Sequence, residues 1–262
     1  MSTRPAGVRR GVPLGRPDMA RRSRTSRRWL ALLLGGAIIV WALATAKVTT
    51  RQGINYDMTT RQIPLYVKAV DFLHRHYHYH LTAEEITRGL SSDRERVLAV
   101  FDWTRQQIRP TPSDVPIVDD HILHIMIRGY GVEDQMADVF ATLSTYAGVP
   151  AFWTTSKNPQ GRRGPVFSFA RVEGRWRVFD VMRGFVFRNA AGELATPEEL
   201  ARDPQLVSAV AANTDVSTTS YVDFVGGLST FQVPRTLRAD LQKPWPRLWY
   251  EARRALEWRL RS

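Results

Sequence analysis

Three stretches of the chain carry residue types that do chemistry. The first is Asp119-Asp120-His121-Ile122-Leu123-His124, acids and imidazoles of the kind that ligate a metal or order a loop by side-chain hydrogen bonds. The second follows almost at once. Gly129-Tyr130-Gly131-Val132-Glu133-Asp134 leads into Met136, Val139, Phe140 and Leu143, which recur at helical spacing. It reads as a Gly-rich turn breaking into a buried helix, with Glu133 and Asp134 placed where the positive end of the helix dipole favours acids. The third is His74-Arg75-His76-Tyr77-His78-Tyr79-His80. His74 and His78 would share a helical face, but the run holds no acid and its alternation suits an extended, exposed edge equally well. The chain contains no cysteine, which removes disulfides, Cys-ligated zinc and thiol catalysis together. The expectation is therefore no cofactor and no bound metal, with Asp120, His121 and His124 the candidate ligands should one be present.

The elements that must position these residues can be read from pattern and punctuation. After Pro64, Leu65, Ala69, Phe72 and Leu73 predict a first helix that ends in the histidine run. Thr82-Ala83-Glu84-Glu85 is a capping box predicting a short helix that Gly89 closes, and Ser92-Asp93-Arg94-Glu95 is a second. Behind the second box, Val97, Leu98, Phe101, Thr104 and Ile108 form an apolar stripe, and Pro110, Pro112 and Pro116 then force a loop. Gly148-Val149-Pro150 ends the central helix. Strands follow at 151–156, 165–172 and 175–181, the last two joined by a Glu173-Gly174 turn, with the flexible loop Asn158–Gly164 between the first two. A fourth strand is expected at 184–187 and a short helix after Thr196-Pro197-Glu198-Glu199.

Charge and hydropathy divide the chain. Its net charge of +12 sits largely in residues 1–28, which hold nine arginines and one acid, Asp18. The basic charge is thus a tail and not a binding face, and no nucleic-acid partner is expected. Trp29 to Ala46 carries no charge over eighteen residues, enough to cross a bilayer as a helix of roughly 27 Å. The preceding arginines place the N-terminus in the cytoplasm and the main domain in the periplasm or outside, in a single pass through the inner (plasma) membrane. Ala44-Thr45-Ala46 has the form of a signal-peptidase site and Ser26-Arg27-Arg28-Trp29-Leu30 loosely resembles a twin-arginine signal, but the long apolar run with Trp41 favours a retained anchor. The expected organisation is a disordered tail (1–28), a transmembrane helix or signal anchor (29–46), a linker (47–62), a domain (63–205), an irregular extension (206–243) and an amphipathic helix (244–262). In that last helix Leu248, Ala252, Ala255 and Leu256 line one face, with Trp249 and Trp258 nearby. It packs back on its own domain or meets a membrane surface or partner.

The helix reached through Gly129-Tyr130-Gly131, closed by Gly148-Val149-Pro150 and followed by a hairpin ending in Trp176-x-x-x-Asp180, resembles the transglutaminase-like superfamily. That fold shares its architecture with papain-like thiol enzymes, and the resemblance covers residues 60–200 or so. It implies an α+β core, N-terminal helices packed on a small antiparallel sheet, preceded here by one transmembrane helix. The family's thiol triad is a Cys in the Gly-rich turn, a His on the next strand and an Asp after the Trp. The matching positions are Glu133, Phe167 before Arg171-Val172, and Asp180. A carboxylate is a poor nucleophile toward amides, Phe accepts no proton, and no histidine follows His124, so only the orienting acid is retained.

Three functions compete. The first is a non-catalytic, membrane-anchored domain that binds an envelope protein partner or polysaccharide in a cleft lined by Tyr130, Glu133, Asp134, Trp153, Phe167 and Asp180. Fold-level analogy suggests cell-envelope or exopolysaccharide assembly. The second is a hydrolase or lyase with replaced chemistry, using Glu133 and Asp180 as a carboxylate pair or around a metal. The pair needs both acids in an open cleft, about 5–10 Å apart. The third is a scaffold acting through the C-terminal Trp/Arg helix.

Overall fold

The structure, a computed structural model, describes residues 19–158, 160–211 and 218–259. Helix α1 (Met19–Thr45) begins ten residues before the apolar run. The expected disordered tail is thus helical from Met19, and the rest of it, residues 1–18, lies outside the described residues. The span Arg28–Thr45 has a mean hydropathy of 1.8 and none of it is buried. This helix is long and apolar enough to cross a membrane, as a signal sequence also is.

The expected linker is a hairpin instead. Strands β1 (Lys47–Ile54) and β2 (Asp57–Pro64) pair antiparallel along their full length, and Asn55 and Tyr56 turn between them at φ 49° and 67°. Polar composition concealed it, because Val48, Thr49, Thr50, Thr59, Thr60 and Ile63 supply β-branched residues without a buried face. Helix α2 (Leu65–Ile86) starts where α1 ends, with the Leu65 amide donating to the Ala46 carbonyl at 2.8 Å.

The histidine run is not extended, and Thr82 opens no new helix. Helix α2 runs through both because Arg75, Tyr79 and Ala83, at i, i+4, i+8, form its buried face. Tyr79 also accepts, on its hydroxyl, the Leu123 amide at 3.1 Å. Helix α3 (Asp93–Gln107) starts at the predicted box. Ser92 Oγ accepts from the Glu95 amide at 3.2 Å, and Glu95 Oε2 from the Ser92 amide at 3.1 Å. Short strands β3 (Arg109–Pro110) and β4 (Val118–Asp119) follow, then helix α4 (Ile122–Arg128) and strand β5 (Tyr130–Gly131). β3 pairs parallel with β5, and β4 adds to β1.

Helix α5 (Glu133–Tyr146) buries every residue from Gln135 to Thr145. Gly148, at φ 90°, turns the chain into the main sheet. Strands β6 (Ala151–Lys157), β7 (Arg163–Val172), β8 (Arg175–Asp180) and β9 (Phe185–Val186) form an antiparallel sheet in that order. The predicted Glu173-Gly174 turn is present, both residues at positive φ. One sheet face packs on α5, where Phe101, Phe140 and Phe179 meet with ring centroids 5.2–6.1 Å apart. The other face carries Phe152, Phe167, Phe169, Val178 and Phe185, all buried.

An apolar face of that size requires a cover, which the short helix predicted after Thr196 and the chain expected to be irregular from 206 onward supply together. Helices α6 (Pro197–Arg202), α7 (Pro204–Ala211) and α8 (Thr218–Gly226) lay Leu200, Val207, Tyr221 and Val225 against it. In α8 the Ser, Thr and Gly content hides the pattern in the sequence. Residues 212–217, between α7 and α8, lie outside the described residues. Helix α9 (Pro244–Arg259) closes the described chain, and its apolar side is not packed back: Trp245, Leu248, Trp249 and Leu256 are 60–80% exposed.

Because the Tyr79 hydroxyl is the partner of a buried amide, Tyr79→Phe should leave that amide unpaired and cost about 1–3 kcal/mol. Urea unfolding of the detergent-solubilised chain should show a lower midpoint at unchanged slope. A midpoint equal to the parent's would mean that this bond does not hold α2 to α4.

Candidate functional site

The site forms where α5 begins and β8 ends. Glu133, in the first turn of α5, keeps 27% of its side chain exposed, whereas Asp180, the last residue of β8, is wholly buried. Three residues on, the turn between β8 and β9 presents Arg183. Its Nη1 donates to Glu133 Oε1 at 2.5 Å and to Asp180 Oδ2 at 2.9 Å, and its backbone amide donates to Asp180 Oδ1 at 2.9 Å. From the opposite side, the α8 hydroxyl of Tyr221 donates to Asp180 Oδ2 at 2.6 Å, and the Tyr221 ring lies 5.8 Å from the Arg183 guanidinium carbon. Phe167 is fully buried beside it, its ring centroid 5.7 Å from Tyr221 and 6.2 Å from Phe187.

The electrostatics follow from this geometry. Burial opposes the charge on Arg183, but Asp180 and Glu133 outweigh it and hold the guanidinium above its usual pKa. Burial, and then the negative charge of Asp180, push the Tyr221 hydroxyl up, so it stays a proton donor at any physiological pH. Asp180 thus accepts from three donors and touches no solvent. It is a structural counter-ion, out of reach of any substrate.

The cleft expected from the sequence is therefore redrawn. An open groove of about 680 Å³ is lined by Glu133, Arg183 and Tyr221, by Gln160 and Arg162 of the β6–β7 connection, by Arg163 at the start of β7, and by Asp223 and Phe224 of α8. Of the six residues expected to line a cleft, only Glu133 does so. Phe167 and Asp180 are buried beneath it. Tyr130 packs under the Arg128 guanidinium at 5.5 Å, and Asp134 points to solvent. Trp153 donates from Nε1 to Asp138 Oδ1 at 2.5 Å, and Asp138 also takes Arg238 at 2.8 Å.

Arg183 and Tyr221 were missed. A cation three residues beyond an acid and one before Gly184 was a signal for the first. The second gave none, because only the packing of α8 brings it to β8. Gly164 has a steric reason to be glycine, since the Phe224 ring occupies the space a Cβ would need.

Of the candidate metal ligands, Asp120 is engaged by neighbouring side chains. Both oxygens of Asp120 accept from Arg128 Nη1, at 3.0 and 3.1 Å, and His124 Nδ1 stands 3.4 Å from Asp120 Oδ2. Arg128 Nη2 reaches Gln135 Oε1 at 2.9 Å, which in turn accepts the Val132 amide at 3.2 Å. This chain of bonds fixes the Gly129–Val132 turn against the start of α5. His121 lies beside His124, ring centroids 6.1 Å apart, and among the described residues no three His, Cys, Asp or Glu side chains converge on a metal position.

Residues 81–181 match the model of the transglutaminase-like superfamily, and this stretch is a transglutaminase-like domain of mixed α+β architecture. The match takes in α3, α5 and the sheet through β8, and it ends before Arg183 and Tyr221. Three solved structures are similar in part. A candidate protease from Parabacteroides distasonis aligns at 12% identity over 52% of this chain and 36% of its own, with a TM-score of 0.35. A candidate cysteine protease from Cytophaga hutchinsonii aligns at 17% identity over 45% and 40%, with a TM-score of 0.35. A structure described as a TGase aligns at 12% identity over 53% and 44%, with a TM-score of 0.32. The chain spans less than half the length of each. No curated protein matches it.

The bridge makes a stability prediction. Arg183→Met removes the cationic partner of buried Asp180 and should cost about 3–5 kcal/mol, whereas Asp180→Asn combined with Arg183→Met should recover part of that loss. Denaturant unfolding of the two single variants and the double variant measures the coupling. Additive losses would mean that the two side chains do not act as a pair.

Proposed function

We propose that the chain is a membrane-anchored, non-catalytic transglutaminase-like domain that binds a protein partner or envelope polymer in the groove above Glu133, in the service of cell-envelope or exopolysaccharide assembly. One observation carries the reading. A single guanidinium ties together the residues at the nucleophile and orienting-acid positions, and an aromatic ring occupies the base position. A thiol triad needs a reactive group, a proton acceptor and a free orienting carboxylate. Here the first is an acid already paired, the second is Phe167, and the third is spent on Arg183 and Tyr221. The replaced-chemistry reading loses its footing at the same place, since acid/base work by a carboxylate pair requires both acids to reach substrate and Asp180 is sealed.

The groove lining supports binding. Arg162 and Arg163 face the groove, with Asn158 and Gln160 as neutral hydrogen-bonding groups and Glu133 and Asp223 as acids. In the proposed topology the arginine-rich N-terminus is cytoplasmic and this groove is extracytoplasmic.

The test keeps α5 and the sheet intact. A photo-crosslinking residue replaces Gln160 in the full chain, in cells, with and without Arg162→Ala and Arg163→Ala. The expected result is a discrete protein or polysaccharide adduct that the arginine substitutions reduce. Glu133→Gln should unfold within about 1.5 kcal/mol of the parent, because it keeps an acceptor for Arg183 and is partly exposed, yet it should change adduct yield. Adduct formation indifferent to all three substitutions would remove the groove from the function. Asp180→Asn is unsuited to this purpose, because its effect on stability would mask any effect on binding.

A further inference from the structure

We propose that α9 lies in the interfacial zone of the bilayer that α1 enters, with its apolar side toward the acyl chains. At 100° per residue, Trp245, Leu248, Trp249, Ala252, Ala255 and Leu256 fall within roughly 120° of arc on this 16-residue helix. All six are exposed. Folding alone leaves this stripe in water, so something outside the described chain covers it.

The identity of the cover follows from composition, reach and tethering. Tryptophan concentrates at membrane–water boundaries, where its ring is apolar and its N–H remains hydrated. The other side of α9 is charged: Arg247 pairs with Glu251 at 2.7 Å, while Arg253, whose guanidinium lies 5.6 Å over the Trp249 ring, and Arg254 have no acidic partner among the described residues. Guanidinium groups flanking an apolar stripe at this depth meet anionic headgroups favourably.

Reach is set by α2. Its first turn abuts the end of α1, and Tyr66 and Val70 on its first two turns are exposed beside that junction. Eleven residues on, about 17 Å along the helix, His76 Nδ1 hydrogen-bonds the Tyr146 hydroxyl at 2.7 Å. That hydroxyl donates to the Gln242 carbonyl, two residues before α9, at 2.7 Å. Helix α9 itself is about 24 Å long, so its origin lies within its own length of the lipid surface. A chain already held by α1 needs only weak interfacial affinity, because the second contact is intramolecular.

The inference is independent of the groove and rests on α1 being inserted. The absence of cysteine makes the test direct. In the full chain, Leu248→Cys and Ala252→Cys on the apolar side, and Tyr250→Cys and Arg254→Cys on the other, each carry an environment-sensitive fluorophore. The labelled chain is reconstituted in vesicles of phosphatidylcholine and phosphatidylglycerol. The expected result is a blue-shifted emission at 248 and 252 that nitroxide lipids quench and aqueous iodide does not, with the reverse at 250 and 254. This pattern should persist at one chain per vesicle. Water-like emission at all four positions, in a chain that still floats with the vesicles, would overturn the inference and leave the anchor standing. Protection at 248 and 252 that is lost on dilution would assign the stripe to a second copy of this chain instead. A chain that fails to float would overturn the anchor and this inference together.

Discussion

A helix with no solvent face has to be surrounded, and α5 is buried along eleven consecutive residues from Gln135 to Thr145. The rest of the fold is arranged around that requirement. Helices α2 and α3 close one side with Tyr79, Val97 and Phe101, and α4 covers the start with Ile122 and Ile125. The main sheet closes the other side. Covering α5 with a sheet then leaves the far face of the sheet, rich in phenylalanine, to be covered in turn. Helices α6 to α8 exist in this architecture for that reason. The same enclosure brings the N-terminus of α5 beside the end of β8, which is how residues fifty apart in the chain, Glu133 and Arg183, come to share a hydrogen bond.

At that junction the physics of a catalytic centre and of a structural lock diverge. An orienting acid works through a partner that changes its protonation. Asp180 has partners that do not: an arginine, a backbone amide and a tyrosine hydroxyl held protonated by burial. The arrangement stabilises one state and offers no route for a proton. Above it, the groove remains open, and its lining includes Arg162, Arg163, Gln160 and Asp223. Two further arginine links join elements around α5. Arg128 ties Asp120 to the turn before α5, and Arg238 ties the C-terminal segment to Asp138 on α5. Ion pairs between elements thus recur around the helix that the domain encloses.

Much of the fold was legible because local rules and tertiary outcome agreed. The Ser92 box, the helix start at Thr196-Pro197, Gly148 after α5 and the Glu173-Gly174 turn all stand where the residues place them. The failures share a cause. The histidine run and Thr82 lie inside α2 because burial of Tyr79 and Ala83 overrides weak local signals. The polar hairpin at 47–64 and the Ser/Thr-rich α8 were hidden because their pattern has meaning only against the partner each meets. In the site, Glu133 and Asp180 were identified as the positions that matter, but their state was not, since exposure and pairing are properties of the packed molecule.

What the sequence determined by itself is therefore what depends on composition and short range. The missing thiol, the apolar segment at Arg28–Thr45, the caps, the turns and the amphipathic C-terminal helix all follow from residue types at fixed spacing. Only the tertiary structure decided that Asp180 is sealed and that Arg183 and Tyr221 hold it. It also decided that the groove runs along the β6–β7 connection and that α9 keeps Trp245 and Trp249 in the open. Each of these is set by contacts between residues far apart in the chain, or by the absence of such contacts.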